Sequence, residues 1–449
     1  MNASKKLESE SSQGIPILLE IIQKYLDHQI LLPTYKNDTY TKHYLMEIIR
    51  YKNKIQFILN KTLRSMKIDK TQRIIHENLL FYAVYAFFWE KKSWDKIKNE
   101  SFPLSLKKDQ IHLFKQFYER LSNFKWEYAL KGKTKIEKLS IQDAIPTFFI
   151  QKLLPVMNLN EIQSNSEKMD VQARIGNFTI RLQSEDELID FENKFRHLNF
   201  IKDEDIPKTI HIPLKHKAKI IASKFYQENK FIIQDKSSIA SVYLMNPQEN
   251  EKICDLCAAP GMKTRLIAQI SKNRANIVAV DFNLTRLKQI RPMMQKIPSE
   301  NYHLIHGDGI HPPIREIDGV QFDKILLDAP CTGSGTFSTH PELKWRQNLK
   351  FLNQNVFLQE KLIERAYYIL KPGGILLYST CSFYPEEGEL HINKILDKFE
   401  IEKLPSWISP CYKINNSSLL GAGRFFPTIH NTNGFFIAKL KKKSNNYIY

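Results

Sequence analysis

The sequence predicts an α/β protein: a mostly parallel sheet in the C-terminal half, preceded by an all-α region and a small α+β segment. Three observations carry this. From about residue 231 onward, short apolar runs alternate with helical stretches, as they do when crossover helices join parallel strands. From about 15 to 135, apolar residues recur at helical spacing. Between these regions, "VQARIGNFTIRL", "SEDELIDFENKFRHL" and "KTIHIPL" read as strand, helix and strand.

The 449 residues suffice for two or three domains. Hydrophobic residues at 42% and charged residues at 25% are ordinary for a globular protein. No stretch approaches the roughly 20 apolar residues of a membrane span, so no membrane partner is expected. The opening "MNASKKLESESSQG" has no apolar signal core and is expected to fray; the expected location is cytoplasmic. Five cysteines, Cys254, Cys257, Cys331, Cys381 and Cys411, are too few and odd in number for a disulfide framework, and read as reduced thiols. Lys and Arg outnumber Asp and Glu by 66 to 48, a net charge of +18. That excess favours a polyanion, nucleic acid first. A lysine-rich proteome gives the same excess, so charge alone does not decide.

In the helical region, "HYLMEIIRYKNKIQFILN" spaces Leu45, Ile48, Ile49 and Ile55 about one turn apart, and "NLLFYAVYAFFWEKKSW" is apolar nearly all round, as in a buried helix. No catalytic constellation appears there. In the middle segment Ser184 precedes a run of acids, a capped helix start. The strands of the last region are "KICDLC", "NIVAVD", "YHLIHG", "KILLDA", "GILLYS" and "GFFIAKL". The basic tail "KLKKKSNNYIY" is expected to be mobile.

"CDLCAAPGMKT" is the first strand and its turn. Small residues let backbone approach a ligand, Gly261 permits dihedrals barred to other residues, and the next helix aims free N–H groups at the same place. A dinucleotide fingerprint needs more glycines, and a phosphate loop needs glycine where Met262 stands. Cys254 and Cys257 lie on a strand, where i and i+3 face opposite ways, and no second pair exists, so no metal is expected. The next three strands each deliver an aspartate at the carboxyl edge: Asp281, Asp308 and Asp328. Ribose hydroxyls need such acceptors, whereas a pyrophosphate would be repelled. The expected cofactor is adenosine-containing and phosphate-free, which points to S-adenosyl-L-methionine.

"DLCAAPGMKT", "VDFN", "GDG", "DAPCTGSGT" and "STCSFYPEEGE", in that order, resemble the RNA cytosine-5 methyltransferases of the RsmB/Sun class, with "FIIQDKSS" and "GRFFPTIHNTNGFF" matching the flanks. "HPELKW" is similar to the 16S ribosomal RNA enzymes of that class, and the N-terminal helices are similar to their NusB-like RNA-binding domain. Met262 and Asn433 replace a usual glycine and aspartate. The resemblance implies a Rossmann-like methyltransferase domain with a seven-stranded sheet over 226–443. It implies a NusB-like domain over 15–140 and a small linker or RRM-like subdomain over 141–225. It also implies S-adenosyl-L-methionine bound by Cys257, Ala258, Ala259, Pro260, Gly261, Met262, Lys263, Asp281, Asp308 and Asp328. The implied activity is RNA methylation, on ribosomal RNA first and transfer RNA second, by a monomer.

Two cysteines follow apolar strands, Cys331 in "DAPCTGSGT" and Cys381 in "STCSF". Cytosine C5 is a poor nucleophile, and thiolate attack at C6 turns it into an enamine carbon. By the precedent of DNA cytosine-5 enzymes Cys331 would attack, but their Glu-Asn-Val partner has no counterpart here. The resemblance assigns attack to Cys381 and product release to Cys331. Asp328 is placed to hydrogen-bond cytosine N3, and the Pro330 carbonyl to read the exocyclic amine. Lys344, Trp345 and Arg346 offer charge beside a stacking surface, and Arg424 and His430 are candidates for phosphate contacts. Other readings are a transfer RNA methyltransferase, a non-catalytic ribosome-assembly factor and, more distantly, a DNA methyltransferase.

Overall fold

The computed structural model describes residues 17–27, 39–67, 77–101, 107–294, 301–312, 321–414 and 419–444. The stretch 1–14, expected to fray, and residues 445–449 of the basic tail lie outside the described residues. The chain divides into two compact units, Met1–Gln151 and Lys152–Tyr449. Among the described residues no helix is long and apolar enough to cross a membrane, and no cluster of three or more His, Cys, Asp or Glu could hold a metal ion.

The first unit is helical wherever it has regular structure among the described residues. Helix Glu77–Phe88 is buried from Leu79 through Ala86, as its unbroken apolar run demands. Leu45, Ile48, Ile49 and Ile55 are all core residues. Helix Lys135–Gln142 opens with a capping box, in which Thr134 Oγ1 accepts from the Glu137 N–H and the Glu137 carboxylate accepts from the Thr134 N–H.

Among the described residues the second unit forms two sheets. Helix Leu159–Ile175 runs through "VQARI", where sequence alternation suggested strand. An Asn158–Glu161 capping box starts the helix, and Ile162, Asn165, Ser166 and Met169 give it a buried face at helical spacing. Strands β1 (Asn177–Leu182), β2 (Ile201–Lys202), β3 (Thr209–Pro213) and β4 (Phe231–Ile233) then form an antiparallel sheet in the order β2-β3-β1-β4. Helix Glu185–Phe195 starts at Ser184, whose hydroxyl accepts from the Glu187 N–H, and it packs Phe191 and Phe195 against Ile180, Ile210 and Phe231.

The larger sheet contains β5 (Lys252–Asp255), β6 (Asn276–Asp281), β7 (Tyr302–His306), β8 (Phe322–Asp328), β9 (Leu370–Thr380), β10 (Phe399–Glu402), β11 (Ser409–Pro410), β12 (Ala422–Phe425) and β13 (Phe435–Lys442). β9-β8-β5-β6-β7 are parallel neighbours, and β13 joins antiparallel to β9. Among the described residues nine strands pair rather than the seven expected. β10, β11 and β12 have four residues or fewer, too short to carry a readable alternation. From β5 the chain proceeds outward through β6 and β7, then returns to the other side of β5 with β8. This reversal opens a crevice at the carboxyl ends of β5 and β8, where ligands bind in such sheets.

Candidate active site

The loop after β5 is held at its centre from both sides. Asp281, the last residue of β6, accepts from the Ala259 N–H at 2.9 Å through Oδ2 and from the Asn283 N–H at 2.8 Å through Oδ1. Arg286 donates to the Ala259 carbonyl at 2.6 Å. Gly261 then caps helix Met262–Ile270 at φ +100°. A Cβ there would lie 2.8 Å from the Ile290 side chain, so both backbone and space require glycine.

A cavity of about 850 Å³ opens at this edge. Asp281, Asp308 and Asp328 all line it, as do Cys257, Ala259, Cys331 and Cys381. Phe282, 78% exposed, stands at its wall. A second cavity of about 240 Å³ shares Cys257, Ala259 and Asp328 with the first and takes in Asp255, Ala258, Pro260, Met262 and Lys263.

Lys263 Nζ pairs with Asp328 Oδ2 at 2.5 Å, while Asp328 Oδ1 accepts from Ser379 Oγ at 2.8 Å. Burial works against the Lys263 charge, but Asp328, Asp255 and Cys381 together outweigh it and raise its pKa. Asp255 is fully buried, and burial pushes its carboxyl up to about 7 despite a hydrogen bond from Thr264 Oγ1. Its Oδ1 has no hydrogen-bond partner.

The Cys331 and Cys381 sulfurs are 3.1 Å apart. The hydrogen bond to Cys381, and then burial, hold the Cys331 thiol well above its usual range. Buried Glu387 joins the two cysteine loops. Its carboxylate accepts from the Thr332 N–H at 2.9 Å and from Gln359 Nε2 at 3.0 Å, and Gln359 Nε2 also donates to the Pro330 carbonyl at 2.8 Å. Its carbonyl accepts from Thr380 Oγ1 at 3.1 Å. The residues flanking both cysteines are therefore anchored on one side chain and its own backbone. Gly335 completes the junction, donating from its N–H to the Cys381 carbonyl at 3.0 Å.

Residues 242–441 match the family described as 16S rRNA methyltransferase RsmB/F. This segment belongs to the RsmB/F family. Ribosomal RNA small subunit methyltransferase B of Pasteurella multocida is 35% identical over 221 residues, 48% of this chain and 48% of that protein. A 28S rRNA (cytosine-C(5))-methyltransferase of Mus musculus is 36% identical over 236 residues, 50% of this chain and 29% of that protein. The chain thus spans half or less of the length of these curated relatives. The crystal structure of a methyltransferase homolog from Pyrococcus horikoshii, 30% identical, aligns over 69% of this chain and 99% of that one with a TM-score of 0.60.

Several residues of the RsmB/F domain stand elsewhere than sequence suggested. Arg424 is not at the surface. It forms a buried two-pronged pair with Glu389 at 2.7 and 2.6 Å, donates to the Ser382 carbonyl at 2.8 Å and stacks on Tyr412. It therefore clamps the turn that carries Cys381. His430 is also buried, with Nδ1 toward the Phe426 backbone and Nε2 toward the Trp407 carbonyl. Lys344 is 4% exposed, while Arg346 is exposed and lies over the Phe351 ring. The Pro330 carbonyl already accepts from Gln359. Sequence reasoning missed Arg286, Phe282, Glu387 and Gln359. The acids after Pro385 suit the helical turn that Pro385–Glu387 forms, but the contact of Glu387 with Thr332 was not legible, because the partner loop is 55 residues away in sequence.

Proposed function

We propose that this chain transfers a methyl group from S-adenosyl-L-methionine to C5 of a cytosine in RNA, ribosomal RNA first. The paired thiols at 3.1 Å on the wall of the cavity carry the reading. Covalent activation of a pyrimidine requires one thiolate to attack, and a second sulfur beside it suits release. The similarity to ribosomal RNA methyltransferases supports the substrate class.

The cofactor site fits the donor set. Acceptors for ribose hydroxyls are present in Asp281 and Asp308, and the loop holds no phosphate cradle. Cys257 to Lys263 and Asp328 would hold the amino-acid end, where the orphaned Asp255 Oδ1 also lies. When bound, S-adenosyl-L-methionine supplies the electrophilic methyl carbon.

Cys381 adds to C6 of an unstacked cytosine. A proton taken up from solvent at N3 draws electrons from C6, and the Asp328 carboxylate accepts the hydrogen bond from that N3–H and so stabilises the protonated base. Lys263 counters the charges of Asp328 and of the Cys381 sulfur. Once C5 is methylated, its proton passes to solvent water, the C5–H electrons re-form the C5–C6 double bond, and the S–C6 bond breaks, which returns Cys381 as a thiolate. Cys331 assists that release. The domain division at 15–140, 141–225 and 226–443, RNA binding by the helical unit, a monomeric state and a cytoplasmic location belong to the same proposal.

Mapping of 5-methylcytosine in total RNA from cells with and without the protein tests it. Loss of one ribosomal RNA site supports the reading. Loss only from transfer RNA replaces the substrate, and no change in any RNA overturns it.

A further inference from the structure

We propose that a polar groove beside the main cavity binds the nucleotide adjacent to the target cytosine in single-stranded RNA; this rests on the RNA reading above. The groove has a volume of about 370 Å³, within the usual range for ligand sites. Its lining includes the amides of Gln172, Asn177 and Asn431, with Thr339, Lys217 and Phe178.

Three observations point to a nucleotide. First, Gln172 Nε2 is buried without a hydrogen-bond partner, a donor prepared for something the chain itself does not supply. Second, the one acid of the lining, Asp235, is engaged by its own neighbours. Its Oδ1 accepts from the Ser237 N–H at 3.1 Å and from Thr432 Oγ1 at 2.5 Å, which softens its repulsion of a phosphodiester. Lys217, whose Nζ lies 5.9 Å from the centre of the Phe178 ring, supplies the counter-charge. Amide side chains present a donor and an acceptor together, and so match the edges of nucleobases.

Third, the groove is continuous with the chemistry. The turn after Cys331 gives Thr336 and His340 to the main cavity, and Ser338 and Thr339 to the groove. Ile233, Gln234 and Asp235 line both the groove and the smaller cavity, which shares Cys257, Ala259 and Asp328 with the main one. A cytosine drawn into the main cavity leaves its neighbour at that turn. Enzymes that act on an extruded base set sequence context by contacts to such neighbours.

The test uses the full chain, labelled S-adenosyl-L-methionine and ribosomal RNA from cells lacking the protein. Gln172→Ala, Asn177→Ala and Thr339→Ala are each expected to raise KM for RNA about tenfold, with kcat within about twofold and cofactor affinity unchanged. Cross-linking of RNA carrying 4-thiouridine is expected to label peptides containing 172–179 or 338–339. Unchanged KM in all three variants, with wild type active, overturns the groove and leaves the function standing. An inactive wild type on every RNA overturns both. A variant with unchanged cofactor affinity is folded, so a raised KM then reports the groove.

Discussion

The sulfurs of Cys331 and Cys381 meet at 3.1 Å because β8 and β9 run parallel with Asp328 opposite Ser379. Cys331 lies three residues beyond the first of these and Cys381 two beyond the second, so both thiols leave the same edge of two neighbouring strands within a residue of each other, and the turns that follow bring them together. Asp328 hydrogen-bonds Ser379 across the same register.

Unequal duties for the two thiols predict unequal defects. Cys381→Ala is expected to lower methyl transfer by at least about a thousandfold while cofactor binding persists. Cys331→Ala is expected to accumulate a protein–RNA adduct that survives a denaturing gel. Full activity in Cys381→Ala would remove the assignment.

Glu387 is expected to control that geometry. In Glu387→Ala the buried Thr332 N–H and Gln359 Nε2 lose an acceptor, at a cost of about 1–3 kcal/mol each. The thermal midpoint falls, measurable by calorimetry. Glu387→Gln keeps an acceptor and the shape, so its stability should lie closer to wild type. Its kcat should still fall, with KM for RNA little changed.

Gly335 has no room for a side chain, since a Cβ would lie 1.9 Å from the Gly434 carbonyl oxygen. Gly335→Ala must displace backbone, at about 1–3 kcal/mol, and it should loosen the bond from the Gly335 N–H to the Cys381 carbonyl. Lower stability is expected together with lower kcat, and an unchanged kcat would show that the junction does not position Cys381.

Asp255 makes stability depend on pH. Burial raises its folded pKa from 3.8 to about 7, so the fold favours the protonated acid. Its contribution is full below about pH 4 and is lost as pH rises toward 7, by up to ~4 kcal/mol for a shift of about three units. Asp255→Asn should flatten this slope in urea melts at about pH 4.5 and 7.5. Equal slopes in the two proteins would sink the claim.

Much was legible in the chain itself. Apolar runs ending in Asp281, Asp308 and Asp328 marked three strands and one cavity edge, because strand period and loop chemistry are local properties. The thiols after two such runs, and the small-residue turn around Gly261, were local as well. Other features were not. "VQARI" alternates like a strand yet completes a helix, because the packing of Ile162 and Met169 decides its state. Arg424 carries the charge of a phosphate contact, but Glu389 and the Ser382 carbonyl draw it inside. Glu387 does stand in a helical turn, Pro385–Glu387, but nothing local shows that the loop of Thr332 comes to its carboxylate. By itself the sequence determined the strands that lead to the site, the turn and the kinds of reactive group. Only the tertiary structure decided which charges are buried and which loops share one side chain, since partners far apart in sequence meet only after the sheet has paired.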